Sequence, residues 1–192
     1  MTRRNQQFGY RRHTVIASIR VLMCILWAAP VVTEAAEYIY WADHGNAVIS
    51  RANLDGTGKE NILTAPANGL VKPVGLALDA AGDYIYWTDF ITKQVRRANV
   101  DGTGTQVLVT DTETIWSLTL DLTGNKIYWT KQGGNVNFRG IRSSNLDGTG
   151  VQDVVVGGGL TGPFGPALDL NNNHMYYLDD VNSKIHRSNL DG

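Results

Sequence analysis

Three short phrases recur along this chain in fixed order, and nothing else in the sequence constrains its fold as tightly. An apolar run closed by aspartate reads VGLALD at 74–79, WSLTLD at 116–121 and FGPALD at 164–169. An aromatic run reads YIYWAD at 38–43, YIYWTD at 84–89, KIYWTK at 126–131 and HMYYLD at 174–179. A turn follows, NLDGTG at 53–58, NVDGTG at 99–104, NLDGTG at 145–150 and NLDG at 189–192. From Asp79 to Tyr86, Asp121 to Tyr128 and Asp169 to Tyr176 the step is seven residues each time. From Tyr40 to Asp55, Tyr86 to Asp101 and Tyr176 to Asp191 it is fifteen; from Tyr128 to Asp147 it is nineteen, with GGNVNFRG inserted. The period of 42 to 48 residues marks a repeat architecture.

Within a period, four β-rich segments alternate with turn chemistry. Over 74–110, VGLALD runs through AAGD to YIYWTD, then FITK leads to QVRRANV and DGTG to TQVLVT. Val, Ile, Leu, Tyr and Trp suit a pleated, half-buried surface. Gly and Asn stand where a tight reversal calls for positive φ. No stretch after residue 35 keeps a helical period beyond a turn or two. Four short antiparallel strands in about 45 residues is the pattern of a β-propeller blade.

The YWTD at 86–89, with PVGLALD at 73–79 and RRANVDGTG at 96–104, resembles the low-density-lipoprotein receptor class B, or YWTD, repeat, and the resemblance extends over 38–192. It implies an all-β propeller of YWTD-type four-stranded blades, used in that family as an extracellular ligand-binding or spacer module with six blades per ring. It also implies that the motif aspartates Asp43, Asp89 and Asp179 tie each blade to its neighbour. Lys131 replaces this aspartate in the third repeat, and Tyr177 replaces the tryptophan in the fourth, so both blades should be held differently. The cysteine-rich modules that flank the receptor propellers are absent from this sequence. Counted from residue 38, the strands make about three and a half blades, falling near 37–66, 73–110, 115–157 and 163–192. Six blades of about 45 residues exceed the length in hand. The expectation is therefore a truncated product, or an arc completed by a second copy or another partner. PVVT at 30–33 falls in register with the missing first inner strand.

Charge is distributed unevenly. Residues 1–35 hold five arginines and one acid; the remainder holds 12 Lys+Arg and 17 Asp+Glu, a net of −5. An acidic body lacks the basic patch that nucleic acid requires, so no nucleic-acid partner is expected. Arginines in 1–12, the apolar VLMCILWAAPVV at 21–32 and small residues near Ala35 have the layout of a secretory signal. The apolar stretch is short of the ~20 residues of a spanning helix. Residues 1–35 are read as an export segment and 36–192 as the repeat domain, in an extracytoplasmic setting; the chain would meet a membrane only through an uncleaved leader. Arg11-Arg12 also fits a twin-arginine signal. The single cysteine, Cys24, lies in this segment behind Met23, a poor lipidation context, so the mature chain has no disulfide framework.

Few motifs carry chemistry. GGGLTG at 157–162 satisfies a dinucleotide pattern, but Pro163 and Pro166 stand where its helix would begin. DGTG resembles the start of a calcium loop, yet strand residues follow it. Asp179-Asp180 reads as a solvated loop. His13, His44, His174 and His186 have no metal-ligand spacing, and no nucleophile is paired with a base. No cofactor is implied. With strands a to d antiparallel, the a–b and c–d turns share a uniform face of the ring. The b–c and d–a connections share a varied one: DFITK, KQGGNVNFRG, DDVNS, TDTET and GGGLTGP. The equivalent positions Val74, Trp116 and Phe164 open the inner strands there. Phe90, Trp116, Phe138, Arg139 and Phe164 are the candidate binding patch for a protein or peptide ligand; the competing role for these rings is to plug blade interfaces. The alternative function is a metal-dependent lactonase, hydrolase or lyase on the same architecture.

Overall fold

The computed structural model describes residues 38–66, 68–134 and 139–192. Residues 1–35, read above as an export segment and holding His13, Cys24 and PVVT, and Phe138 lie outside the described residues. Fourteen strands follow in order: β1 (Tyr38–Asp43), β2 (Val48–Asn53), β3 (Glu60–Thr64), β4 (Pro73–Asp79), β5 (Tyr84–Asp89), β6 (Gln94–Asn99), β7 (Gln106–Thr110), β8 (Thr114–Asp121), β9 (Lys126–Gln132), β10 (Gly140–Asn145), β11 (Gln152–Val156), β12 (Pro163–Asp169), β13 (His174–Asp179) and β14 (Lys184–Asn189). They form four antiparallel sheets of three, four, four and three strands, each in sequence order. This is the strand arrangement of propeller blades that the repeat implied. The inner strands β4, β8 and β12 lie against one another.

The period-2 alternation of each aromatic strand builds the core between blades. In β5, Ile85 and Trp87 face back and join Tyr40, Ile49, Leu63, Leu70 and Leu76 between the first and second blades. Tyr86 faces forward, where Val95, Val109, Ile115, Leu118, Ile127 and Trp129 close the second joint. Tyr128 and Ile141 meet Leu160, Met175 and Tyr177 in the third. The second and third blades therefore bury both of their faces against neighbours, and Trp87 and Trp129 are completely buried. Burying a large aromatic side chain in this way stabilises the joint by about 3 kcal/mol.

The turns differ in detail from the sequence expectation. Gly82 and Gly124 are not the left-handed residues of the a–b turns; Asp83 (φ 56°), Asn125 (φ 55°) and Asn173 (φ 56°) are. The two glycines are needed because an added Cβ would overlap the carboxylates of Asp79 and Asp121, which cap these turns. The left-handed residues of the b–c turns are Ala47, Lys93 and Ser183 rather than glycine or asparagine. In the c–d turns the glycines do take positive φ, at 84° in Gly56 and 86° in Gly102 and Gly148. There the aspartate accepts from the threonine two residues on, as Asp101 Oδ1 does from Thr103 N at 2.9 Å and Thr103 Oγ1 at 2.7 Å.

The repeated turn also has a packing role. A Cβ on Gly102 would overlap the Ile62 carbonyl of β3, and one on Gly148 the Leu108 carbonyl of β7. Gly192 stands in the same relation to Val154 of β11. The second, third and fourth Asp-Gly turns are thus pressed against the outer strand of the preceding blade, at a distance only glycine allows.

Candidate ligand-binding face and the joints that hold it

The b–c and d–a connections of successive blades meet on one side of the arc, and three of the candidate residues come together there. The rings of Phe90 and Trp116 lie edge to face with centroids 4.7 Å apart. Trp116 and Phe164 lie 6.2 Å apart in the same manner. One ring comes from each of the second, third and fourth blades, so the strip crosses two joints. All three are half-buried. Lys72 places its ammonium 4.9 Å from the Phe90 ring centre, a cation–π contact, and the exposed Val71 and Ile91 flank that end. Val74, equivalent to Trp116, supplies no ring.

Backbone geometry presents the strip. Each inner strand carries a β-bulge near its start, between Pro73 and Leu76, Ile115 and Leu118, and Phe164 and Ala167. A bulge turns a side chain out of the regular alternation. The motif threonines fix what the bulges present. Thr88 Oγ1 accepts from Gly75 N at 2.9 Å and donates to the Trp116 carbonyl at 2.5 Å. In the next blade, Thr130 and Ser117 share a hydroxyl contact of 2.9 Å, and Gly165 N donates to Ser117 Oγ at 2.8 Å. One blade's threonine thereby sets the position of the next blade's aromatic residue.

Arg139 is not part of the strip. Its Nε donates to the Gly133 carbonyl at 3.0 Å and Nη1 to the Thr161 carbonyl, so it fastens the inserted loop to the connection entering the fourth blade.

The motif aspartates hold the same connections. Asp89 Oδ2 accepts from Val71 N at 2.8 Å and Lys72 N at 2.9 Å, and Oδ1 accepts from Ile91 N and Thr92 N. One carboxylate thus grips the segment arriving from the first blade and the loop that carries Phe90. Asp179 repeats the arrangement with Thr161, Gly162 and Asn182. Burial alone would raise both carboxyls. The hydrogen bonds, from backbone N–H groups at Asp89 and from Thr161 and Asn182 at Asp179, outweigh it and hold both below the usual carboxylate range. Asp43 caps its own b–c turn through Gly45 N and Asn46 N, each at 3.1 Å.

The two departures from the repeat have distinct solutions. Lys131 extends its ammonium to Asp153 Oδ1 at 2.6 Å, while Arg142 Nε lies 3.2 Å from the same oxygen. The carboxylate of the joint entering the third blade comes instead from Asp111, in the connection that leads into it. Its Oδ2 accepts from Trp129 Nε1 at 2.9 Å and pairs with Arg142 Nη1 at 3.2 Å. Burial would raise Asp111; the Trp129 hydrogen bond and the Arg142 charge more than compensate and lower it. In the fourth blade Tyr177 stacks on His186, with centroids 5.4 Å apart. The sequence reading passed over Asp111 because TDTET is one of the varied connections; the Lys131 substitution was the visible sign that a carboxylate had to come from elsewhere.

Among the described residues no group of three His, Cys, Asp or Glu side chains converges to hold a metal ion, and no helix is long and apolar enough to cross a membrane. Residues 37–80 match the low-density lipoprotein receptor repeat class B model. A chain in the crystal structure of the nidogen/laminin complex is similar at 29% identity and a TM-score of 0.66, over 74% of this chain and 52% of that one. A gluconolactonase from Xanthomonas campestris superposes with a TM-score of 0.65 at 17% identity, over 82% of this chain and 56% of that one. This chain spans about half the length of either solved structure. The fold is thus of the β-propeller type, and the segment 37–80 matches a low-density lipoprotein receptor class B repeat.

Proposed function

We propose that this chain is an exported, non-catalytic recognition module that takes a protein or peptide ligand on the Phe90–Trp116–Phe164 strip. The observation that carries the reading is the contact of three half-buried rings from three successive blades on the varied face of the arc. Aromatic side chains held rigid at low entropy cost, with a cation at one end, are the side chains that dominate binding energy at interfaces. Similarity to a chain of the nidogen/laminin complex supports protein binding as the kind of function. Export rests on the layout of residues 1–35. Phe138, within the inserted segment GGNVNFRG, belongs to the same proposal by its place in the sequence.

Likeness to the gluconolactonase is one of fold, and among the described residues no carboxylate cluster favours catalysis over binding. The experiment is a selection of displayed peptides on the immobilised chain, followed by affinity measurement. Trp116→Ala and Phe164→Ala should each weaken a selected peptide by about 30-fold, the size of an interface hot spot, while chelator leaves binding intact. Selected peptides that bind both variants as well as the parent would refute the site. Chelator-sensitive lactone hydrolysis would replace the function.

A further inference from the structure

The second and third blades set the same pair of donors toward the joint behind them. Trp87 and Arg96 face each other across β5 and β6, as Trp129 and Arg142 do across β9 and β10. In the third blade the pair closes on a carboxylate. Asp111 Oδ2 stands 2.9 Å from Trp129 Nε1 and 3.2 Å from Arg142 Nη1. A second carboxylate, Asp153, lies 3.2 Å from Arg142 Nε.

Neither carboxylate has a counterpart in the second blade. Asp111 N donates to the carbonyl of Lys93, the left-handed residue of its b–c turn, and Ala65 N donates to that of Ala47. The residue that matches Asp111 is therefore Ala65. Asp153 is paired with Arg142 across β10 and β11, and the residue paired in the same way with Arg96 is Val107. Two apolar side chains stand in place of two carboxylates, while both donors are kept.

Those donors are short of acceptors. Trp87 is 0% exposed, and neither its Nε1 nor Arg96 Nε has a hydrogen-bond partner among the described residues. Arg96 Nη1 is engaged by the carbonyls of Asn68 and Gly69. Asp89 attracts Arg96, but its own oxygens accept from four backbone N–H groups. A buried N–H without an acceptor has lost its hydrogen bond to water, a loss that an acceptor from solution would repair. Ala65 is exposed, so the position matching Asp111 lies at the surface.

We propose that the joint between the first and second blades binds a small monocarboxylate, of the size of formate or acetate, through Trp87 Nε1 and the Arg96 guanidinium. The ligand is specified by the third blade, where the same donor pair holds a carboxylate oxygen. A free carboxylate brings the same group, and hydrogen bonds from a guanidinium to a carboxylate are among the strong ones. Asp89 stands where the third blade has Lys131. The ligand therefore meets a less positive setting than Asp111 does, and it binds weakly and reversibly.

The test is nuclear magnetic resonance of the isotope-labelled full chain, following the indole N–H signals as acetate replaces chloride at constant pH and ionic strength. The Trp87 signal, identified by its loss in Trp87→Phe, should move downfield and saturate. The Trp129 signal, whose acceptor belongs to the chain, should stay in place. Ala65→Asp supplies the carboxylate from the chain, so its Trp87 signal should begin downfield and ignore acetate. The urea midpoint should rise with acetate in the parent, as ligand binding to the folded state requires, and stay constant in Ala65→Asp. A Trp87 signal unmoved by acetate would overturn the inference, leaving water as the partner of its N–H. So would an Ala65→Asp chain that responds as the parent does, or equal movement of all indole signals.

Discussion

The joints entering the second and third blades perform one task with opposite polarity. Entering the second, the carboxylate sits on the strand as Asp89 and the arriving connection supplies the donors, Val71 N and Lys72 N. Arg96 Nη1 completes the closure by donating to the carbonyls of Asn68 and Gly69, at 2.9 and 2.5 Å. Entering the third, the arriving connection supplies the carboxylate, Asp111, and the strands supply the donors, Trp129 Nε1 and Arg142. Trp87, the counterpart of Trp129, has no acceptor for its Nε1 among the described residues. A joint of this repeat therefore requires a buried carboxylate closed by donors across the gap, and it tolerates either side as the source. Lys131 is not a defect once Asp111 and Asp153 are counted with it.

This equivalence can be broken most severely at Asp111. Its carboxylate is buried and accepts from Trp129 and Arg142 as well as from Thr112 N and Glu113 N, so Asp111→Asn should cost about 3 kcal/mol, as the Trp129 and Arg142 contacts lose the charge on their acceptor, read by urea denaturation. The glycines test the contact between blades. Gly102→Ala should cost about 3 kcal/mol through overpacking against the Ile62 carbonyl. Gly56→Ala, at nearly the same φ but with no neighbour, should cost only about 1 kcal/mol of backbone strain. Equal losses would show that the turn bears on nothing.

The acid limb of stability sharpens the comparison further. Asp89, Asp111 and Asp179 all have lowered folded-state pKa values. The stability they contribute is fully present above the ordinary carboxylate value near ~4. It is lost as pH falls through their lowered folded-state values. Melting temperature should hold steady from neutrality down to about pH 5 and then decline. In Asp179→Asn the decline should be shallower, and a decline parallel to the parent's would contradict this assignment. The smallest effect belongs to Thr88→Val, which removes the hydroxyl bridge to the Trp116 carbonyl. It should cost about 1 kcal/mol and weaken a peptide bound on the strip more than Thr57→Val does at a remote turn.

Most of the architecture was legible because its signals are local and repeated. The aromatic strands, the spacing of seven and fifteen residues, and the Asp-Gly turn each state a short-range requirement, and four copies make the register unambiguous. In the a–b turns the expectation of Gly or Asn at positive φ holds for Asn125 and Asn173, while in the second blade Asp83 takes that conformation after Gly82. Both residues are turn formers, and only the capping carboxylates of Asp79 and Asp121 decide between them. The grouping of Phe90, Trp116 and Phe164 was anticipated from the face each loop occupies. Arg139 was grouped with them by adjacency, but its guanidinium is consumed by backbone carbonyls. Asp111 was invisible for a related reason: its partners Trp129 and Arg142 lie 18 and 31 residues away in sequence, and no period links them.

The claim that a joint needs a carboxylate from either side is tested most directly by a double-mutant cycle at Asp111 and Arg142, using Asp111→Asn and Arg142→Met. If the pair closes the joint entering the third blade as Asp89 closes the one entering the second, the coupling energy measured by urea denaturation should be about 2 kcal/mol. Additive losses, with no coupling between the two positions, would contradict it.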